Sequence, residues 1–323
     1  MKKRIFSYSL FTLSLALVAS LMSVAHNSWW LPVSEAVARQ TQTSCTGAAF
    51  QSGTLAAGAM IGQQPQSVTV ADFNNDSKPD LAITNYFNWT VTILLGNGSG
   101  GFSNPSPASF NVGTQYPYDA VAQDFNRDGK QDLEIVKNSG QVVIWLGNGD
   151  GTFTENTNAF VNVGLGPRAL VAGDFNNDTQ HDLAVVNYTG QSVSILLGNG
   201  QGRFTTASTV NVGGNPSGAV VADFNRDGRQ DLAVSNFFNN GVDILLGNGT
   251  GGFSPASGSP ILSSGQNPSA VASGDFNGDN LADLALSNYL TSTVMILRGN
   301  GNGTFAAAAT YNTGTQPSAV VVA

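Results

Sequence analysis

A nine-residue segment rich in aspartate recurs five times along the chain at nearly constant spacing. One copy begins at Asp223 and reads Asp-Phe-Asn-Arg-Asp-Gly-Arg-Gln-Asp. The first residues of successive copies lie 52, 50, 49 and 52 residues apart. A period near 50 indicates one structural unit repeated along the chain, and it limits the fold more than any other feature of the sequence.

Each copy places oxygen-bearing side chains at its first, third, fifth and ninth positions. A tightly curled loop can point such alternate side chains inward, where three carboxylates would repel one another unless a cation lay between them. The donors are oxygens, without thiolate or imidazole, and such a set favours calcium over zinc or copper. The seventh residue can add its backbone carbonyl whatever its side chain is.

The predicted calcium ligands are therefore five residues in each of five loops. They are Asp72, Asn74, Asp76, Lys78 and Asp80; Asp124, Asn126, Asp128, Lys130 and Asp132; Asp174, Asn176, Asp178, Gln180 and Asp182; Asp223, Asn225, Asp227, Arg229 and Asp231; and Asp275, Asn277, Asp279, Leu281 and Asp283. The seventh residue of each loop contributes its carbonyl oxygen only.

A simple turn and an EF-hand both fit the motif less well. A single Asn-x-Asp-Gly segment is often no more than a tight turn, but five copies with a further aspartate at position nine favour metal. An EF-hand loop requires a glutamate at position twelve. That position is apolar in every copy, and it holds Ile83, Ile135, Val185, Val234 and Leu286.

The acidity of the chain is concentrated in these loops. The formal net charge is −8, and 15 of the 21 Asp and Glu residues lie in the five segments. Five calcium ions would carry ten positive charges and offset this excess. With only 13 Lys and Arg residues and no basic stripe, we expect no nucleic-acid partner.

Between the loops the sequence predicts four short strands in each unit and no helix. A proline-led apolar run such as residues 216–222 precedes the loop, and residues 231–235 follow it as a second strand. A third strand at 242–246 leads into Gly-Asn-Gly-x-Gly-x-Phe, where Asn-Gly suits a hairpin turn. We predict an all-β fold, a β-propeller of four-stranded antiparallel blades with five complete blades and a partial blade at the termini.

The paired motifs Asp-Phe-Asn-x-Asp-x-x-x-Asp-Leu and Leu-Gly-Asn-Gly-x-Gly-x-Phe resemble the FG-GAP (VCBS-type) repeat of integrin α-subunit propellers and many secreted bacterial proteins. The resemblance covers residues 53–323. It implies a β-propeller, usually of seven blades, with calcium in the loop between the first and second strands of a blade. Because the last unit stops after its first strand, we expect this propeller to be incomplete.

Three loops depart from the family pattern at the sixth position, which is usually glycine. Ser77, Thr179 and Asn280 stand there. Serine and threonine fit a left-handed backbone conformation poorly. We therefore predict weaker calcium binding by the loops that begin at Asp72 and Asp174.

The N-terminus predicts export from the cell. Lys2, Lys3 and Arg4 precede an apolar run, so residues 1–25 are predicted to be a signal peptide, with cleavage as late as residue 38. An uncleaved membrane anchor is the alternative, and no further membrane span is expected. Residues 26–52 are predicted to be a linker and 53–323 the propeller. We expect a secreted or cell-surface protein, since weak calcium sites fill where calcium is millimolar.

The sequence offers few catalytic groups. Its two histidines are His26 and His181, and the acids outside the loops are scattered rather than paired as in a glycosidase. A Ser-His-Asp arrangement would depend on His181, which neighbours a predicted calcium ligand. We therefore predict that the chain is not an enzyme.

Recognition is predicted at the end of the blades opposite the calcium loops, where aromatic residues are frequent. The candidate ligand-binding residues are Tyr86, Trp89, Tyr116, Tyr118, Tyr188, Phe238 and Tyr289. Exposed aromatic rings stack on sugars or anchor protein partners, although packing between blades would also account for them. We predict a binding or adhesion module for an extracellular glycan or protein. The alternative is the non-catalytic propeller part of a polysaccharide lyase or hydrolase. The sequence does not indicate an oligomeric state.

Overall fold

A computed structural model describes residues 5–7, 62–157, 159–263 and 266–322, and these residues form strands and turns without a helix. The predicted signal peptide and linker lie outside the described residues, except for strand β1 (Ile5–Ser7). None of the described segments is a helix long and apolar enough to cross a membrane.

Twenty-three strands form five antiparallel sheets, one for each repeat, and we call these sheets blades 1 to 5. Blade 1 contains β2 (Pro65–Ala71), β3 (Asp80–Asn85), β4 (Thr90–Gly96), β5 (Phe102–Ser103) and β6 (Ser109–Asn111); blade 2 contains β7 (Pro117–Gln123), β8 (Asp132–Lys137), β9 (Gln141–Gly147), β10 (Phe153–Glu155) and β11 (Val161–Asn162); blade 3 contains β12 (Pro167–Gly173), β13 (Asp182–Asn187), β14 (Ser192–Gly198) and β15 (Phe204–Asn211); blade 4 contains β16 (Pro216–Ala222), β17 (Asp231–Asn236), β18 (Gly241–Gly247), β19 (Phe253–Pro255) and β20 (Ile261–Leu262); blade 5 contains β21 (Pro268–Gly274), β22 (Asp283–Asn288), β23 (Thr293–Gly299) and β24 (Phe305–Asn312).

Each blade has the same order of strands, with the outermost position split into two short strands in blades 1, 2 and 4. The first strands β2, β7, β12, β16 and β21 contact one another in that sequence, so they lie innermost. The last described strand, β25 (Val320–Val322), packs beside β21 and pairs with β1. The second strand of every blade is buried along its whole length. The prediction of a β-propeller built from four-stranded blades is confirmed.

Pairs of phenylalanine side chains pack between neighbouring blades. The phenylalanine of an aspartate loop meets, edge to face, the phenylalanine that follows the hairpin turn of a neighbouring blade. The pairs are Phe73–Phe153 at 5.5 Å between ring centroids, Phe125–Phe204 at 5.4 Å, Phe175–Phe253 at 5.4 Å and Phe224–Phe305 at 5.5 Å. The repeated aromatic residues of both motifs therefore pack between blades.

The two ends of the blades carry different connections. At one end, the loop end, the aspartate loops lie beside the Gly-Asn-Gly turns, and the amide of Gly151 donates to the carbonyl of Phe73 at 2.9 Å. At the other, the aromatic end, the connection after the second strand meets the turn before the first strand. There the amide of Tyr86 donates to the carbonyl of Gln64 at 2.9 Å. This division agrees with the expectation from the sequence.

One buried carboxylate in blade 4 lies outside the aspartate loops. Asp243, in the middle of β18, is 7% exposed, and it accepts hydrogen bonds from the Asn236 amide and, at 3.4 Å, from the Ser259 hydroxyl. Burial raises the pKa of Asp243 from 3.8 to about 6, against the smaller lowering effect of Ser259. The folded state therefore holds its proton more tightly than the unfolded chain does.

We predict that Asp243→Asn stabilises the protein above about pH 6. Because the folded pKa is raised, the stability contributed by protonated Asp243 is complete below about pH 4 and is lost as the pH rises through about 6. The neutral amide avoids this loss, which amounts to up to about 3 kcal/mol. Thermal unfolding of both proteins between about pH 4 and 8 should give curves that diverge with rising pH. Parallel curves would contradict the prediction.

Candidate metal loops and the aromatic end

The backbone of all five aspartate loops curls in the same way. The fourth and sixth residues have positive φ angles in every loop, including 64° at Ser77 and 68° at Thr179. The sixth position is thus left-handed even where the sequence has no glycine, as we expected. Whether this lowers the affinity for calcium stays a prediction.

Oxygen atoms at the first and third positions face the interior of each loop. In the first loop, the carboxylate of Asp72 accepts the amides of Asp76 at 3.0 Å and Ser77 at 2.6 Å, and Asn74 Oδ1 also accepts the amide of Asp76 at 3.0 Å. The other four loops repeat these bonds. The loop amides therefore organise these donors around one point.

The ninth aspartate has a second role, which the spacing of the motif did not predict. Asp80 is fully buried, and its two carboxylate oxygens accept the amide of Phe73 at 2.9 Å and the amide of Gly96 at 2.7 Å. Each of the other four loops makes the same two bonds. This carboxylate ties the loop to the start of the Gly-Asn-Gly turn.

The first glycine of that turn is required by the same close approach. A Cβ atom on Gly96 would lie 2.1 Å from the carbonyl oxygen of Pro79, the eighth residue of the loop. The corresponding glycines of the other blades would meet the eighth-residue carbonyl at 2.1 to 2.3 Å. Any side chain there would push the hairpin away from the buried carboxylate.

Negative charges act on one another in four of the loops. Burial raises the pKa of Asp80, hydrogen bonds from two amides lower it, and the charges of Asp76 and Asp72 raise it further. The same causes raise the pKa values of Asp132 and Asp182 to about 6. A cation bound in the loop would relieve this repulsion.

The donor set fits calcium in its chemistry, since it consists of carboxylate, amide and carbonyl oxygens. Within the part of the chain that the structure describes, however, no group of three or more His, Cys, Asp or Glu residues is arranged to hold a metal ion. In each loop the ninth carboxylate faces backbone amides instead. To bind calcium, it would have to share its remaining lone pairs, so calcium binding stays a prediction.

We predict that two aspartates of one loop differ in their roles. In chelator, Asp132→Ala should lower the free energy of unfolding by about 2–4 kcal/mol, because two buried amides lose their acceptor. Asp128→Ala, at a partly exposed position, should change it by less than about 0.5 kcal/mol. Added calcium at about 2 mM should stabilise the wild type by about 1.8 kcal/mol for each site with a Kd of about 0.1 mM.

Urea unfolding with and without calcium measures both effects. Each variant should lose the calcium-dependent gain of its own loop. Asp150→Ala, at an exposed carboxylate of a neighbouring Gly-Asn-Gly turn, is the matched control and should keep the full gain. A wild type that calcium does not stabilise would contradict the calcium prediction, while equal effects of the two variants in chelator would contradict the structural role of Asp132.

Four of the predicted ligand-binding residues form one cluster at the aromatic end. Tyr86 stacks on Tyr116 with ring centroids 4.3 Å apart and meets Tyr118 edge to face at 5.2 Å. Trp89 contacts the edge of Tyr116 at 6.2 Å. Burial, followed by a hydrogen bond with Tyr118, raises the pKa of Tyr86 to about 12, so its hydroxyl stays neutral at physiological pH. We call these four residues the tyrosine cluster.

The remaining predicted residues fall into two places. Tyr188 lies on the other side of Arg168, whose guanidinium carbon is 3.6 Å from the centroid of Tyr188 and 5.7 Å from that of Tyr118. Phe238 and Tyr289 belong to a separate group around Phe237, at 5.2 and 6.1 Å. Arg168 was not among the residues predicted from the sequence. Aligning the repeats would have revealed it, because it follows the proline that opens a first strand.

Trp89 has an unusual backbone conformation for a large side chain. Its φ angle is +56°, in the left-handed region that disfavours bulky residues. The corresponding position in another blade is Gly140, also with positive φ. The indole Nε1 of Trp89 is buried without a hydrogen-bond partner among the described residues. Positive φ recurs at this position in all five blades, including Gln191, Asn240 and Ser292, so it belongs to the turn of the repeat.

Exposed apolar side chains mark the aromatic end as well. Phe87 (52% exposed), Leu165 (68%), Phe238 (60%) and Leu290 (57%) lie in its connections, and each belongs to a different blade. Their exposure leaves apolar surface at this end available to a partner. The loop end, in contrast, presents the aspartates and glycines of the two motifs.

A cavity of about 530 Å³ lies between the innermost strands. Its walls are largely apolar, and Asp119 provides the single carboxylate among its lining residues. This carboxylate accepts the Ser67 hydroxyl, the Ala120 amide at 2.9 Å and the Leu170 amide at 3.1 Å, so it joins blades 1, 2 and 3. Burial raises the pKa of Asp119.

Comparison with protein families identifies the repeat. A family model described as FG-GAP-like repeat matches residues 72–135, 124–185, 174–234 and 223–286, and a model described as FG-GAP repeat matches residues 267–314. Together these matches span most of the chain. None of the curated protein sequences matches it.

Solved structures similar to this one share its fold at low sequence identity. A protein from Lactobacillus plantarum is 14% identical, with 84% of this chain and 89% of that chain covered and a TM-score of 0.62. A candidate 6-phosphogluconolactonase from Bacteroides fragilis is 18% identical, with 81% and 73% covered and a TM-score of 0.62. The periplasmic gluconolactonase PpgL of Pseudomonas aeruginosa is 16% identical, with 79% and 72% covered and a TM-score of 0.59.

These similarities correct one prediction. We expected from the sequence that the chain is not an enzyme, and that expectation is wrong, because the same architecture occurs in a gluconolactonase. The prediction rested on histidines and paired carboxylates in the sequence, whereas a propeller can bring single residues from several blades together around its centre. Identities of 14 to 18% show the fold alone.

Proposed function

This chain is a member of the FG-GAP repeat family, and on that basis we propose that it is a calcium-stabilised β-propeller that binds an extracellular glycan or protein through its aromatic end. We further propose that it is exported, as a secreted or cell-surface protein. In this proposal the calcium loops stabilise the blades at one end, and recognition takes place at the other.

The observation that carries the proposal is the unequal character of the two ends. Apolar side chains that are more than half exposed occur at the aromatic end in four of the five blades. An exposed apolar side chain of this kind gives up no packing within the protein when a partner covers it. The burial of its apolar surface then favours binding.

Backbone hydrogen bonds hold these connections in place. The amides of Tyr86, Tyr188, Phe238 and Tyr289 donate to carbonyl oxygens of the turn that precedes the first strand, at 2.8 to 3.0 Å. Because the aromatic residues are fixed before a partner arrives, binding costs less conformational entropy than it would on free loops. This rigidity supports a recognition surface.

A double substitution tests the aromatic end. Phe87→Ala with Phe238→Ala should reduce binding to glycans or extracellular matrix proteins at least tenfold, because both exposed rings contribute contact area. Binding would be screened on a glycan array and on immobilised matrix proteins, then quantified by biolayer interferometry in calcium. Phe160→Ala, which removes an equally exposed ring (56%) outside these connections, is the control and should change affinity less than twofold. Equal losses in both proteins would contradict the proposal.

A second candidate function is hydrolysis of a sugar lactone within the central cavity. The observation that favours it is the Asp119 carboxylate on an apolar cavity wall, where burial raises its pKa, in a fold that also serves a gluconolactonase. A carboxyl group of raised pKa can act as a general base toward water. The wild type should hydrolyse glucono-δ-lactone faster than Asp119→Asn does. The rate is measured from the acid that the reaction releases. Asp150→Asn at the loop end is the control, and equal rates for all three proteins would reject this candidate.

A further inference from the structure

Because the blades are copies of one unit, residues that break the pattern can be compared with their counterparts in the same protein. The residue after the proline that opens each first strand is such a position. In blade 4 Ser217 donates to the carbonyl of Pro268 in the next blade at 2.8 Å, and Ser269 makes the corresponding bond at 2.7 Å. Blades 2 and 3 have Tyr118 and Arg168 instead. These two blades lack the serine hydroxyl that joins neighbouring first strands.

Arg168 is held by rings rather than by acids. Its guanidinium stacks on Tyr188 and lies beside Tyr118, both at cation–π distance. Its side chain is exposed. Ion pairs within the described residues involve Lys78, Lys130 and Arg229, and none involves Arg168. The described part of the chain also provides no hydrogen-bond acceptor for this guanidinium, so its N–H groups are available to a ligand.

The acidic side chains of the described chain are placed so that an anion could still bind Arg168. Outside the loops, the acids of the described chain are Asp119, Glu134, Asp150, Glu155 and Asp243. Glu134 and Asp243 are buried within blades 2 and 4, and Asp150 lies at the loop end. The Asp119 carboxylate is engaged by two amides and a hydroxyl, and Glu155 lies opposite Trp145 in an outer strand. An incoming carboxylate would thus meet an unneutralised guanidinium.

The geometry points to an acidic sugar: we propose that Arg168 and the adjoining tyrosine cluster bind a uronic acid residue of an extracellular polysaccharide. A guanidinium presents two parallel N–H donors that match a carboxylate. Aromatic rings beside it can pack against the C–H groups of a pyranose. This inference rests on the proposed function of the aromatic end and adds the class of ligand. An acidic peptide would supply the same carboxylate, but the aromatic rings beside Arg168 offer contact surface to a pyranose that a flexible acidic side chain does not use.

A matched pair of ligands tests this directly. Binding of trigalacturonate and of its methyl ester, which lacks the charges, would be measured by isothermal titration calorimetry on the full chain in calcium. We expect the wild type to bind the acid at least tenfold more tightly than the ester. Arg168→Gln should remove this preference, and Arg168→Lys should restore only part of it, because lysine keeps the charge but not the paired donors. Arg203→Gln, an arginine in a loop-end turn, is the control and should bind like the wild type.

The outcomes separate this inference from the proposed function. Equal binding of acid and ester, or no effect of Arg168→Gln, overturns the role of Arg168. If the Phe87→Ala, Phe238→Ala protein then loses binding to these ligands, that loss still supports recognition at the aromatic end. Tighter binding of a tri-aspartate peptide than of trigalacturonate overturns the sugar in favour of a peptide. If none of these probes binds, the uronate assignment is wrong, and the array and matrix-protein screen alone decides the proposed function. Circular dichroism of each variant confirms that it is folded.

Discussion

The structure depends on one buried carboxylate in each blade. The ninth aspartate of every loop is fully buried and accepts two backbone amides, one from its own loop and one from the hairpin turn between the third and fourth strands. Such charge-assisted bonds in a buried site are strong, and losing them leaves two amides unpaired. The aspartate loop and the Gly-Asn-Gly turn are therefore two halves of one junction. Their joint occurrence in each repeat has a physical cause.

This junction is costly by itself, because the carboxylate is buried beside other negative charges. Its raised pKa in several blades reflects that cost. A calcium ion would offset it by neutralising the loop, which gives the proposed metal a structural rather than a chemical role. Stabilising one end of the blades in this way leaves the other end free to vary, since the aromatic connections lie at the opposite end of each blade.

The five blades differ in how closely they follow the repeat. Blade 2 contains Tyr116, Asp119 and Glu134 at positions where the other blades have small or amide side chains. Glu134 is fully buried without a hydrogen-bond partner among the described residues, and burial raises its pKa well above the usual value. Buried polar groups without partners are destabilising. These three departures from the repeat lie in one blade, which also contributes Tyr116 and Tyr118 to the tyrosine cluster and Asp119 to the wall of the central cavity.

By itself, the sequence determined the repeat, the four strands of each unit, the aspartate loops and the aromatic character of the opposite end, because each of these depends on local spacing and turn chemistry. Only the tertiary structure decided which groups meet: that the ninth aspartate binds backbone amides, that Tyr86 stacks on Tyr116 and that Arg168 lies between two tyrosines. These contacts join residues from different blades or from separate segments of one blade. Their distances follow from how the blades are packed, and no local pattern in the sequence encodes that packing.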